Sequence, residues 1–113
     1  MTEIQNSKKL YDLEDRTLKF TKEVVKFVSS LPKTTANFEV GKQLIRSAGS
    51  VGANYIEANE SLSKKDFIMR VKICRKEAKE SRYWLKILDE NNSLIQESNE
   101  LMKIFGAILE KSK

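Results

Sequence analysis

The 113-residue chain predicts an all-α fold, an antiparallel up-down-up-down four-helix bundle. Apolar residues recur at three- and four-residue steps along four stretches, and strand-like alternation is absent. The one proline and the "DENN" break fall between those stretches. Short connections force sequential helices together, which favours the up-down arrangement. A length of 113 residues suits a single domain spanning 1–113, with room for a real core and for added stability from oligomerisation.

The first helix is expected over roughly residues 12–31, "LEDRTLKFTKEVVKFVSSL", where Leu13, Phe20, Val24, Phe27 and Leu31 share one face and Thr17 fills a gap. Pro32 ends it. The second, about 36–60, carries Phe38, Leu44, Ile45, Ala48, Val51, Tyr55 and Ala58 on its apolar stripe. Ser63 and Asp66 then read as a capping box that opens the third helix, about 64–90. Its stripe of Phe67, Val71, Cys74, Ala78, Ser81, Leu85 and Leu88 is the cleanest in the chain. Ser93 and Gln96 form a second capping signal, and Leu94, Leu101, Met102, Phe105, Ile108 and Leu109 carry the fourth helix over about 93–111.

"RSAGSVGANYIEA", residues 46–58, places two glycines inside the second helix, where each costs about 1 kcal/mol relative to alanine. At 100° per residue, Gly41, Ala48 and Gly52 lie within the apolar arc, where small residues let a neighbouring helix approach closely. Gly49 lies at the border of that arc. No strand precedes the glycines, which argues against a phosphate-binding loop. Arg46, Ser50, Asn54 and Glu57 form a polar stripe on the other side, with Ser47 at its flank. Solvent exposure is the commoner fate of such residues; subunit contact is the functional assignment, ahead of catalysis.

The third helix divides into three faces. Beyond the core stripe, Met69, Ile73, Trp84 and Ile87 form a second apolar face interleaved with Glu77 and Glu80, two glutamates that read as ordinary surface charge. That face is either a wide core-facing stripe or a subunit interface, for which tryptophan is a favoured anchor. The third face is basic: Lys64, Lys65, Lys72, Arg75, Lys76, Lys79, Arg82 and Lys86 fall within about a third of the circumference, with no acid among them. A soluble surface normally mixes in glutamates at pairing distance, so the segregation points to a phosphate-rich ligand. Lys19, Lys22 and Lys26 on the first helix are candidates to extend the contact.

The net charge of +5 agrees with an acidic partner. With no histidine and one cysteine, the usual metal sites and an intrachain disulfide are excluded, and neither a cofactor nor catalysis is expected. Glutamate pairs at i,i+3 lack the Glu-x-x-His partner of di-metal bundles, and Cys74 sits in the core stripe, where a thiol is inert. No apolar run reaches the roughly 20 residues of a membrane span, and "MTEIQNSKKL" lacks a signal-peptide core, so a cytoplasmic location is expected.

"RSAGSVGANYIEA", together with Phe67 and "KEAKESRYWLKIL" at 76–88, resembles the signature of the bacterial four-helix-bundle proteins found as intervening-sequence proteins of large-subunit ribosomal RNA. The likeness covers most of the chain and places Arg46, Ser47, Ser50, Asn54 and Glu57 on the family's polar positions. It departs at Ala58-Asn59, where many members carry a glycine. The resemblance implies a ring-shaped homopentamer. One related branch, the accessory variability determinant of diversity-generating retroelements, binds nucleic acid together with a reverse transcriptase. The leading expectation is therefore a non-enzymatic homo-oligomer that binds RNA, or DNA, through the basic face. Few aromatics lie near that face, so phosphate contacts and shape are expected to dominate over base stacking. The alternative is a scaffold for a protein partner such as a reverse transcriptase.

Overall fold

The computed structural model describes residues 2–113, with side chains from Leu13 onward; the ten N-terminal residues weighed above as a signal peptide have their side chains outside that set. Four helices follow in order, α1 (Thr2–Ser30), α2 (Thr35–Asn59), α3 (Lys64–Leu88) and α4 (Leu94–Lys111), and no strand occurs among the described residues. They form a bundle of 47 × 30 × 20 Å. Sequential helices neighbour one another, the α2–α3 interface being the most extensive and the α1–α4 contact the slightest. No helix among the described residues is long and apolar enough to cross a membrane.

Helix boundaries agree with the periodicity except at the start of α1, which extends back to Thr2 instead of beginning near residue 12. Thr34 caps α2 by accepting from the Asn37 amide at 3.1 Å, and Asn37 Nδ2 donates to the Pro32 carbonyl at 2.9 Å, closing the α1–α2 turn. Ser63 caps α3, its hydroxyl accepting from the Asp66 amide at 3.1 Å, but among the described residues the Asp66 carboxylate makes no return bond to the Ser63 amide, so only half of the expected capping box forms. At α4 the expectation fails. Ser93 makes no side-chain cap, and the Leu94 amide donates instead to Asn92 Oδ1 at 2.8 Å. Asn92 holds its side chain over the helix start through a bond two residues on, the local turn asparagine favours.

The core is the predicted stripe: Leu13, Phe20, Val24, Leu44, Ala48, Val51, Tyr55, Val71, Cys74, Ala78, Leu85, Leu101 and Phe105 are all buried. Phe27, Ile45, Phe67, Leu88, Met102 and Ile108 pack partly buried against it, whereas Phe38 is 65% exposed, because it sits in the first turn of α2, beside the loop rather than over a neighbouring helix. It borders a shallow apolar groove of about 600 Å³ with Val28, Leu31, Pro32 and Ile45.

The glycines divide by function. A Cβ at Gly41 would lie 2.7 Å from Val28 Cγ1, and one at Gly52 would lie 3.1 Å from Thr17 Oγ1. Both therefore admit α1 against α2, and the Thr21 hydroxyl crosses the same seam to the Ala48 carbonyl at 2.9 Å. Gly49, by contrast, has nothing within 4 Å of a would-be Cβ. Val28 is β-branched and has little rotameric freedom in a helix, so it cannot yield to a new methyl at Gly41. Gly41→Ala is expected to destabilise the fold by about 1–3 kcal/mol, and Gly49→Ala to stabilise it by about 0.5–1 kcal/mol. Urea unfolding of the two variants checks the opposite signs.

Candidate nucleic-acid interface

The α2–α3 seam sets which way α3 faces. Ser47 and Ser81, both fully buried, share a 2.9 Å hydroxyl–hydroxyl hydrogen bond across it. Each hydroxyl has one proton, so one serine donates across the seam while the other, accepting that bond, donates to its own helix, Ser47 to the Leu44 carbonyl or Ser81 to the Glu77 carbonyl, and neither is left unsatisfied. One turn away Arg46 Nη1 donates to Glu77 Oε2 at 3.3 Å, and its Nη2 pairs with Glu80. Arg70 Nη1 donates to Asn54 Oδ1 at 2.9 Å, while Asn54 Nδ2 bonds back to Ser50.

These contacts give part of the polar stripe partners within the chain. Arg46 and Asn54, expected at a subunit contact, are engaged by α3 of the same chain, and Ser47 is interior. Glu57 is exposed. Glu77 is not ordinary surface charge: it is 6% exposed, and its Oε1 has no hydrogen-bond partner among the described residues. Its partner Arg46 stands 31 positions away, so no i,i+4 rule could have found the pair.

With that register, Lys64, Lys65, Lys72, Arg75, Lys76, Lys79 and Lys86 are all exposed. Among the described residues none of them is in a salt bridge. Arg82 differs. It is half-buried and donates from Nη1 to Asn99 Oδ1 on α4 at 2.7 Å, so it ties α3 to α4 as well as bordering the basic face. Lys19, Lys22 and Lys26 are exposed as expected, but α1 and α3 are not neighbours. The two basic sets thus stand on helices that do not contact one another. Between α1 and α4, Arg16 grips Glu97 with two hydrogen bonds of 2.8 Å, and this bond holds the guanidinium more firmly protonated than usual.

The second apolar face of α3 is divided. Ile73 and Trp84 are half-buried, and Trp84 packs on the core edge with Nε1 donating to Glu80 Oε1 at 3.3 Å. Met69 and Ile87 are 49% and 52% exposed. Cys74 is fully buried, and burial pushes its thiol up to about 12 from an ordinary 9.0. No cluster of three metal-ligating side chains occurs among the described residues.

Comparison with known proteins places this geometry. The family profile described as 23S rRNA-intervening sequence protein matches residues 10–111. A crystal structure of a protein of unknown function from the S23 ribosomal protein family of Bacteroides thetaiotaomicron is similar at 32% identity and a TM-score of 0.81, over 90% of this chain and 98% of that one. No curated protein matches.

Truncating Arg46 leaves Glu77 buried without a charged partner, so Arg46→Ala is expected to cost about 1–3 kcal/mol in urea unfolding despite the arginine's own exposure. A double-mutant cycle with Glu77→Ala should recover a coupling of about 0.5 kcal/mol or more. The raised Cys74 pKa contributes stability that is complete below pH 9.0 and is lost as pH rises toward about 12. Thiol labelling at pH 8 should accordingly proceed only as fast as the protein opens.

Proposed function

The chain belongs to the 23S rRNA-intervening sequence protein family, and from that premise we propose that it is a non-enzymatic, homo-oligomeric accessory protein that binds RNA on the basic face of α3. One observation carries the reading: exposed Lys65, Lys72, Arg75, Lys76, Lys79 and Lys86 share one face with no acidic partner among the described residues. Unpaired cations close together repel one another, and a polyanion that displaces its own counterions relieves the repulsion and gains affinity. The ligand side of the reading is supported by the RNA association in the family's name.

Homo-oligomerisation is supported by the half-exposed Met69 and Ile87, which continue the apolar face of Trp84 and Ile73 outward. A ring of five is the assembly the family resemblance implies. Ile87 is the residue to probe, since Trp84 also packs on the core edge. Ile87→Glu should lower the mass measured by light scattering without changing the helical content; an unchanged mass would assign the face to the monomer.

Binding should weaken with salt. Lys72→Glu, Arg75→Glu and Lys79→Glu together are expected to reduce affinity by about tenfold or more in fluorescence titration, and to flatten the slope of log K against log salt by roughly 2. Arg82 is left unaltered because its bond to Asn99 would confound folding with binding. An affinity indifferent to both salt and these charges would sink the reading.

A further inference from the structure

We propose that Tyr83 is a base-stacking platform, so that the α3 face takes single-stranded RNA carrying an unpaired base in preference to duplex. The inference rests on the RNA-binding reading and narrows its ligand class. It also departs from the sequence expectation that phosphate contacts alone dominate.

Tyr83 is 59% exposed and lies inside the basic arc, not beside it. At 100° per residue, Lys65, Lys72, Lys76, Lys79 and Lys86 all fall within about 60° of its direction from the α3 axis. Lys79 and Lys86 stand four residues before it and three after, the neighbouring positions along a helix face, about 5–6 Å away. A phosphate held by either lysine leaves its base within reach of the ring.

The ring is also held in place. Tyr83 meets Trp84 edge to face, with centroids 5.1 Å apart and planes at 72°. Trp84 is itself fixed, packed on the core edge and hydrogen-bonded to Glu80, which pairs with Arg46 of α2. A T-shaped contact occupies at most one face of the tyrosine and leaves the other open. A ring already restrained on the folded chain loses little freedom when a base stacks on it. The tyrosine hydroxyl has no hydrogen bond among the described residues, so the ring is not there to satisfy a polar contact. Electrostatic capture by flanking lysines plus stacking on an aromatic face is the combination by which single strands are held without sequence readout.

The test compares Tyr83→Leu, Tyr83→Phe and wild type against two probes, an unstructured single-stranded RNA containing 2-aminopurine and a blunt RNA duplex of equal length. Tyr83→Leu should lose about 5- to 100-fold in affinity for the single strand, together with the fluorescence quenching of the stacked base. Duplex binding and the salt slope should stay as in wild type, and Tyr83→Phe should behave as wild type. If Tyr83→Leu binds the single strand undiminished, stacking is overturned while the RNA-binding reading stands. If wild type binds neither probe at low salt, both fall. If Tyr83→Leu changes the mass in light scattering, the residue is a subunit contact and the stacking proposal is overturned.

Discussion

The rotation of α3 about its own axis is the constraint on which the remaining surface chemistry depends, and its buried apolar stripe together with the buried Ser47–Ser81 contact fixes it. Two small hydroxyl residues at a helix crossing let the backbones approach, and each hydroxyl must find a partner once water is excluded. A slip of α3 by one residue would turn it by about 100°. That slip would break the hydroxyl pair across the seam, and it would also carry Val71 and Leu85 away from the core. Polar and apolar requirements thus select the same register, the agreement between levels that makes a fold specific.

Charge segregation follows from that register. Glu77 and Glu80 sit on the side of α3 that meets α2, where Arg46 takes both. Acids consumed by an inter-helix pair are unavailable to neutralise lysines on the outer face. The basic arc is therefore the complement of the seam: the same helix turn that buries Glu77 leaves Lys76 and Lys79 in solvent and outside every salt bridge among the described residues. Arg46 gains little from a half-exposed pair by Coulomb attraction alone. Its weight comes from Glu77, whose buried charge would otherwise have no cationic partner.

Much of this was legible in the sequence wherever the signal was local. The four apolar stripes predicted the four helices and nearly the whole core, because side-chain burial repeats with the helix period. Gly41 and Gly52 were readable as close-approach positions from their place in the α2 stripe, although the stripe does not name Val28 and Thr17 as the residues they meet. What stayed hidden depended on relations between helices. Glu77 and Glu80 look like solvent charge on one helix; only the azimuth of α2 brings Arg46 to them. Lys19, Lys22 and Lys26 form a basic face on their own helix, and only the packing of the bundle shows that this helix makes no contact with α3. Phe38 fits the α2 stripe by period but lies where no helix covers it, and Asn92 outcompetes Ser93 as a cap through a two-residue turn the capping-box pattern does not describe.

Tyr83 and Trp84 are adjacent in sequence and diverge by one residue's rotation, which puts the first in the basic arc and the second against the core edge. Ile87 follows Trp84 by three residues on the same side of α3, and Met69 lies on that side about four turns earlier, both half-exposed. An assembly through that apolar face would therefore bring the basic arc of each subunit to the rim of a subunit junction. Repetition of a weak electrostatic site around such an assembly raises the effective concentration of every further contact once one is made. Modest binding per subunit then suffices for a long polyanion, and a small bundle needs no deep cleft to hold one. The α2–α3 seam fixes on a single helix, at set angles, the side that is buried, the side that is apolar and the side that is charged.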